Sequence, residues 1–198
     1  MSTAGGEGPQ ELRHTRPEIL AAAAALASLK GLAQLSMGEL ASAVGMSKSG
    51  LYAHFASKEA LQLATIEYGG QVFEAHVLRD SSGGPEGGLS ALLERWLAFY
   101  ERRMFPGACF FIVAAVEFAS RAGAVRDALE QHVDQEIAAL ETAVRGATES
   151  GETRRSNDAA QTAFELHAIL MNTHALFQLK DDPVVFDQAR TAIDNLLG

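Results

Sequence analysis

Residues 36–61 read SMGELASAVGMSKSGLYAHFASKEAL, and three serines divide this stretch into helical segments. Ser36, Ser47 and Ser57 each stand directly before apolar residues with helical spacing, where a serine oxygen can accept a backbone N–H that the helix leaves unpaired. Glu39 follows Ser36 at the spacing of a capping box, in which the glutamate reaches back to the serine N–H. The stretch therefore predicts two short helices and the start of a third.

A glycine between the first two helices makes them a recognisable unit. Gly45 takes a positive φ without steric cost, which suits a tight turn. Two short helices joined in this way form a helix-turn-helix, whose second helix lies in the major groove of DNA while the first crosses the backbone. The second helix begins with Ser47-Lys48-Ser49-Gly50, small and polar residues that let a backbone approach phosphates and base edges. The apolar face predicted to hold the helices together consists of Leu40, Ala41, Val44, Leu51 and Phe55.

Another helix is predicted immediately upstream. Thr15 and Glu18 form a capping box around Pro17, which the first helical turn tolerates because its missing N–H is not needed there. Apolar residues at spacings of three and four then continue to Leu29, and Gly31 ends the helix.

Glycine and proline divide the rest of the chain into longer helices. Ser57 opens a fourth helix that runs towards Arg79, and residues 81–88, SSGGPEGG, predict a flexible loop. No segment alternates convincingly with period two, so no strand is predicted. The predicted fold class is therefore all-α, with about nine helices. The five helices after the loop are predicted near residues 88–104, 107–121, 123–149, 157–180 and 183–197.

Composition narrows the class of protein further. The chain has 198 residues, 47% of them apolar, which is enough to bury a core. No window of eighteen apolar residues is present, so no membrane span is predicted. The N-terminus lacks the basic start and apolar run of a signal peptide, and residues 1–13 predict a disordered arm. A single cysteine, Cys109, excludes an internal disulfide and a cysteine-cluster zinc site; together these features predict a cytoplasmic location.

Charge is distributed unevenly along the chain. The formal net charge of −9 argues, taken alone, against nucleic acid. Residues 1–60 carry five basic and five acidic groups, whereas residues 61–198 carry the other 11 basic and 20 acidic groups. Only the second part would repel a phosphate backbone, so DNA binding by the first part is compatible with the charge. The low basic count predicts that DNA affinity depends only weakly on salt.

The stretch at residues 36–61 resembles the signature of the TetR/AcrR family of transcriptional regulators, above all in its LYAHFASKEAL ending. The resemblance implies a three-helix DNA-binding head at residues 14–61 and, at residues 62–198, a helical body that binds a ligand and forms a homodimer. It implies a sequence-specific regulator, a repressor released from double-stranded operator DNA by a small, largely apolar or aromatic ligand. No cofactor and no membrane are implied.

The resemblance assigns DNA contacts to residues of the recognition helix and of neighbouring helix starts. Each of them also has a structural alternative. Tyr52 and His54 can pack within the head, the two lysines can be solvated, and Thr15 and Ser36 are helix caps first. The predicted DNA contacts are Thr15, Ser36, Ser47, Lys48, Ser49, Tyr52, His54 and Lys58.

Aromatic and soft side chains of the body are candidates for an apolar pocket between helices, although each taken singly is equally well explained as core. His167 and His174 share one helix face, two turns apart. A polar anchor for a ligand is conceivable there, but the spacing is too long for a metal-binding i, i+4 pair, and core or interface histidines are favoured. The predicted ligand contacts are Trp96, Phe99, Cys109, Phe110, Phe118, Phe164, His167, Met171 and His174.

The last two predicted helices are candidates for the dimer interface. In the family the resemblance points to, the equivalent pair packs against its twin as a four-helix bundle. A two-fold dimer also suits DNA binding, because two heads must meet half-sites ~34–36 Å apart. The apolar residues of this pair are Phe164, Ile169, Leu170, Leu176, Val185, Ile193 and Leu196.

Two other classes of function fit the sequence less well. An enzyme needs a nucleophile and base, or a ligand set for a metal or cofactor, yet the chain has no phosphate loop, no Gly-x-Ser-x-Gly elbow and no His-Glu-x-x-His motif. Cys109 lies in an apolar stretch, where a thiol is more often inert than reactive. A helical interaction module that has lost DNA binding would have no need of Lys48, Tyr52, His54 and Lys58. The sequence therefore predicts a regulator and not an enzyme.

Overall fold

The computed structural model describes residues 14–79, 87–107, 109–153 and 158–198, and all regular structure within these ranges is helical. The all-α prediction is confirmed. The predicted arm at residues 1–13 and most of the predicted loop at residues 81–88 lie outside the described residues. The helices are α1 (Arg16–Lys30), α2 (Met37–Ala43), α3 (Lys48–His54), α4 (Lys58–Phe73), α5 (Gly88–Glu101), α6 (Phe110–Phe118), α7 (Ala124–Ser150), α8 (Ala159–Lys180) and α9 (Val184–Leu197).

Serine caps begin the three helices that follow α1, as the sequence predicts. In each case the hydroxyl oxygen accepts a hydrogen bond from the backbone N–H three residues further on, which satisfies a donor that the first helical turn leaves unpaired. The pairs are Ser36 with Glu39 at 3.2 Å, Ser47 with Gly50 at 3.1 Å, and Ser57 with Ala60 at 3.0 Å. Gly45, between α2 and α3, adopts the expected positive φ of 65°.

The two predicted capping boxes have different outcomes. At α1 the box is complete, and the Thr15 N–H donates to the Glu18 carboxylate at 2.7 Å. At α2 only the serine half forms, because the Glu39 carboxylate pairs with Lys30 at the end of α1. The predicted return of Glu39 to the Ser36 N–H was therefore wrong. Glu39 instead pairs with a residue of another helix, which the local spacing of the sequence does not reveal.

The head is held together by a small apolar core and one arginine. Leu40 of α2 and Leu51 of α3 are fully buried, and Phe55 is 2% exposed. The Arg16 guanidinium lies 4.7 Å from the centre of the Phe55 ring and donates to the His54 carbonyl at 2.9 Å. The start of α1 is therefore tied to the end of α3, which fixes the direction of α3.

The body is arranged around α7, a helix of 27 residues that packs against α4, α5, α6 and α8. Its interior contains a chain of aromatic rings in edge or stacked contact, with Trp96 fully buried at the centre. The Trp96 indole N–H donates to the Tyr100 hydroxyl at 2.8 Å, so the ring brings no unpaired donor into the core. No helix within the described ranges is long and apolar enough to cross a membrane.

The end of α4 departs from the regular helix that the sequence predicts up to Arg79. Residues Glu74–Leu78 form one π-helical turn, which is wider than an α-helical turn. Such turns are rare in proteins, and many of the known examples lie at functional sites. Here the turn lies beside a cavity described below.

We expect two adjacent glycines of α4 to respond oppositely to alanine. A Cβ on Gly69 would stand 2.5 Å from Cζ of the fully buried Phe110, so Gly69→Ala should destabilise the fold by about 1–3 kcal/mol through overpacking. A Cβ on Gly70 would meet nothing closer than Nδ1 of His132 at 3.6 Å, so Gly70→Ala should be neutral or stabilising by up to about 1 kcal/mol. Urea unfolding of both variants checks this, and equal effects would contradict the close packing of α4 on α6.

Candidate nucleic-acid interface and body cavity

Three of the predicted DNA contacts form one exposed surface on α3. Leu51 faces the core, and this leaves Lys48, Ser49 and Tyr52 on the solvent side of the helix. Tyr52 is 47% exposed, although a large aromatic ring is usually better buried. We call Lys48, Ser49 and Tyr52 the recognition surface. Its combination of a cation, a hydroxyl and an aromatic phenol suits contacts with phosphates and base edges.

The other predicted DNA contacts take part in the structure of the head. Ser36 and Ser47 use their hydroxyls as caps, and His54 is half-buried next to Phe55. Thr15 is exposed at the start of α1. The role of these residues in binding DNA stays a prediction.

Lys58, which the sequence assigns to a phosphate, belongs to a junction between α4 and the turn that joins α1 to α2. Its Nζ donates to the Ala33 carbonyl at 2.6 Å, and one helical turn later the Gln62 side-chain N–H donates to the Leu32 carbonyl at 2.9 Å. On the other side, the Ala33 N–H donates to the Glu117 carboxylate of α6 at 3.0 Å. We call residues 31–35 the α1–α2 turn. The helices α4 and α6 hold it from two directions.

The nine predicted ligand contacts do not gather around one cavity. Phe164 is 61% exposed on α8, His167 and Met171 are half-buried, and the remaining six are buried in the core. None of the nine lines a cavity of about 500 Å³ that lies between α4 and α7. Most of the aromatic members instead form the wall of rings behind it. Their part in ligand binding stays a prediction.

The cavity of about 500 Å³ is bounded by α4 with its π-helical turn and by α7. Its lining is partly apolar and partly polar. The apolar residues are Leu63, Ile66, Gly70, Phe73, Leu78 and Ala128. The polar residues are Glu67, Gln71, Glu74, Gln131, His132, Gln135 and Glu136.

A buried carboxylate lies at the inner wall of this cavity between two histidines. Glu136 is 4% exposed; its Oε2 lies 3.2 Å from Nε2 of His167, and its Oε1 lies 3.3 Å from Nε2 of His132. The second contact is close enough for electrostatic attraction but lacks the alignment of a hydrogen bond. Burial opposes ionisation of Glu136, but the two histidines outweigh it and lower the pKa of the carboxyl. The group is therefore a carboxylate at neutral pH.

Sequence reasoning missed His132 and Glu136, although a signal for them exists. The buried face of α7 repeats at spacings of three and four, and it is apolar at Leu129, Leu140 and Val144. His132 and Glu136 occupy the middle of this face. Because a charged residue is almost never fully buried without a partner, a glutamate within an apolar stripe indicates a special site.

His174 and Cys109 are joined by a buried hydrogen bond. The Cys109 backbone N–H donates to Nε2 of His174 at 2.9 Å. Burial, together with the charge of Arg103, lowers the pKa of His174 to about 4. Burial, together with the charge of Glu136, raises the pKa of the Cys109 thiol to about 12, so its thiolate is scarce at neutral pH. The described residues contain no group of three or more His, Cys, Asp or Glu side chains able to hold a metal ion.

Comparison with known families gives two matches that together span most of the chain. Residues 19–65 match the bacterial regulatory proteins of the tetR family. Residues 85–193 match the tetracyclin repressor-like C-terminal domain. No curated protein matches the sequence.

Solved structures of similar fold cover nearly the whole chain. A TetR transcriptional regulator from Chloroflexus aurantiacus aligns with a TM-score of 0.78 and 26% identity over 91% of this chain and 92% of that one. AibR, solved in complex with isovaleryl coenzyme A and operator DNA, aligns with a TM-score of 0.68 and 26% identity over 91% and 96%. The reduced form of NemR from E. coli shares the fold, with a TM-score of 0.75 and 22% identity over 92% and 97%.

We expect His174 to make the stability of the fold depend on pH. Its folded pKa of about 4 lies below its ordinary value of 6.5, so the unfolded chain takes up a proton first as the pH falls. The free energy of unfolding should therefore decrease between pH 6.5 and pH 4, by up to about 3 kcal/mol from this residue. His174→Gln keeps an acceptor for the Cys109 N–H without titrating. In urea unfolding at both ends of this range the variant should lose less stability than the wild type, and parallel losses would contradict the assignment.

Proposed function

The chain belongs to the TetR family of DNA-binding transcriptional regulators, and on that basis we propose that it represses transcription from an operator and is released by a small ligand bound in its body. The observation that carries this proposal is the position of α4. One end of the helix donates to the α1–α2 turn through Lys58 and Gln62. The other end lines the 500 Å³ cavity from Leu63 to Leu78. A ligand in the cavity therefore contacts the same helix that holds the head.

Recognition of the operator is assigned to α3. The recognition surface of Lys48, Ser49 and Tyr52 is presented by a helix whose direction is fixed by Arg16 and by the buried Leu51. This arrangement suits insertion of α3 into the major groove, with the serine and lysine at the helix start near the phosphates. Because the surface carries few cations, hydroxyl and N–H groups supply much of the phosphate contact.

A homodimer is supported by an apolar stripe on α8 that no part of the described chain covers. Phe164 is 61% exposed and Leu179 is 82% exposed, and Ala168 and Ala175 lie between them on the same helical face. Val184, at the start of α9, is 47% exposed beside the end of this stripe. A second copy packed on α8 and α9 would bury these side chains and place two heads on one face of the DNA.

Release by the ligand follows from a change in the spacing of the two heads. A displaced α4 moves the α1–α2 turn, and the recognition helices then no longer match half-sites ~34–36 Å apart. Such coupling is typically worth about 1–3 kcal/mol. AibR, whose structure holds both isovaleryl coenzyme A and operator DNA, supports the combination of the two sites in this architecture. A bound ligand that leaves operator affinity unchanged would contradict this mechanism.

We expect the protein to bind a palindromic site in the DNA that flanks its own coding sequence, and to lose that binding when the recognition surface is removed. Fluorescence anisotropy with labelled fragments measures the affinity at two salt concentrations, and the shallow salt dependence noted above should be seen. The Lys48→Ala/Tyr52→Ala double variant should bind the site no better than non-specific DNA, a loss of two or more contacts worth about 1–3 kcal/mol each.

Lys180→Ala is the matched control for that titration, because Lys180 is an exposed lysine at the far end of α8. It should leave operator affinity unchanged. If both variants weaken operator binding equally, recognition through α3 is contradicted. A plot of log affinity against log salt concentration whose slope corresponds to ten or more released counterions would contradict it as well. If no flanking fragment binds better than non-specific DNA, the protein can be used to select binding sites from a pool of random DNA sequences. An enriched sequence then indicates an operator elsewhere in the genome, and no enrichment indicates that the head does not bind specific DNA.

We expect the α8 stripe to determine the oligomeric state. Phe164→Glu/Leu179→Glu places two charges in the proposed interface and should yield monomers in sedimentation velocity, with loss of operator binding. Val116→Glu is the control, since Val116 is 77% exposed on α6 and outside the stripe. It should remain dimeric. If the double variant is still a dimer, the interface lies elsewhere. If the wild-type protein is a monomer, the proposed dimer is contradicted.

A further inference from the structure

The charges around the cavity between α4 and α7 all have one sign. Among the described residues, its wall contains the carboxyl groups of Glu67, Glu74 and Glu136 and no lysine or arginine. Arg79 pairs with Glu74 at 2.5 Å from outside the wall. Glu67 is exposed at the rim and makes no ion pair with the described part of the chain. An anion entering the cavity would meet net repulsion, whereas a cation would be attracted.

The ring of His132, on the wall of the same cavity, makes no hydrogen bond with the described residues. Its side chain is 7% exposed and lines the cavity, yet neither ring nitrogen makes a hydrogen bond within the described residues. Phe111 stacks on the ring with a centroid distance of 3.6 Å and fixes its plane. Nδ1 faces α4 at Gly70, where only hydrogen fills the place of a side chain. Nε2 meets only the Glu136 carboxylate, at 3.3 Å and without hydrogen-bond alignment, so Nδ1 is the ring nitrogen left for a partner that enters from the cavity.

We propose that this cavity binds an organic cation, whose ammonium or amidinium group meets Glu136 and His132 and whose apolar part lies against Leu63, Ile66 and Phe73. The proposal rests on the proposed function, because it names the chemical class of the effector. It adds a charged group to the largely apolar or aromatic ligand that the sequence predicts.

The geometry favours a cation over a neutral ligand for two reasons. The Glu136 carboxylate is held in place by His167 and is already desolvated, so a charged donor gains more there than at an exposed carboxylate. An imidazole nitrogen that carries no proton accepts a hydrogen bond, so an ammonium with three N–H donors can bond to Nδ1 of His132 as well as to the Glu136 carboxylate. The ring of Phe73 lines the same wall, and a cation placed over its face would be attracted by the ring quadrupole.

Three matched probes test the proposal by isothermal titration calorimetry on the full chain. They are 4-phenylbutylammonium, 4-phenylbutanol and 4-phenylbutanoate, which share one apolar body and differ in the charge of the head group. A second set built on 2-(1-naphthyl)ethyl covers a wider body. The ammonium of at least one set should bind about tenfold or more tighter than its alcohol, with the carboxylate weakest. No ammonium binding at millimolar concentration, or equal or tighter binding of the alcohol or carboxylate, would overturn the proposal.

Variants locate the binding site. Glu136→Gln keeps the shape of the side chain and should reduce the preference for ammonium over alcohol to within about threefold, while the affinity for the alcohol stays close to that of the wild type. Glu67→Lys changes only the exposed rim, so it tests the charge of the cavity even if Glu136→Gln destabilises the fold. It should weaken the ammonium several-fold. Glu130→Gln, an exposed carboxylate of α7 outside this cavity, is the control, and an equal effect of all three variants would overturn the site.

The operator titration separates this proposal from the proposed function. If the ammonium binds through Glu136 but operator affinity does not change, the cation site is supported and release by this ligand is not. If the ammonium fails to bind while the protein still binds its operator, the cation site is overturned and the regulator is retained.

Discussion

The backbone of Ala33 is bonded through both of its polar atoms to neighbouring helices, and the position of the head depends on these two bonds. Its N–H donates to Glu117 of α6 and its carbonyl accepts from Lys58 of α4, so both of its polar atoms are held by other helices. The bond to Glu117 is partly buried and the bond to Lys58 is exposed, so the first loses less to competition from water. The α1–α2 turn cannot move without breaking these bonds. The position of the head is consequently set by the two helices that hold the turn.

This arrangement gives α4 two roles. Its first turn holds the head, and its later turns, including the π-helical turn at residues 74–78, line the cavity. Opposite it stands α7, whose buried face is interrupted by His132 and Glu136. Their placement costs stability, because charged and polar groups replace apolar packing in the middle of a long helix. Such a cost is understandable if these groups bind a ligand, since the same helix pair then converts binding into movement of the head.

Local features of the fold could be predicted from the sequence, and contacts between distant segments could not. The caps at Ser47 and Ser57 follow from a hydroxyl that stands directly before a helical segment. This signal lies within a few consecutive residues, so the sequence shows it. The partner of Glu39 is Lys30 and not its own helix start, and Glu117 reaches a turn 84 residues away. These depend on how helices cross, which periodicity does not encode. For the same reason the aromatic residues chosen as ligand contacts are mostly packed behind the cavity, while Glu136 and His132 line it.

The most direct test of the account measures whether the α1–α2 turn fixes the head. A nitroxide attached to a cysteine introduced at the exposed Ala53 of α3 reports the distance between the two heads of the proposed dimer by double electron–electron resonance, and Cys109 is buried away from the label. With Gln62 and Glu117 intact, we expect one narrow distribution of distances. With Gln62→Ala/Glu117→Ala, we expect a clearly broader distribution in a protein that sediments as the wild type does. Distributions of the same width in both would contradict the central claim that these side chains position the head.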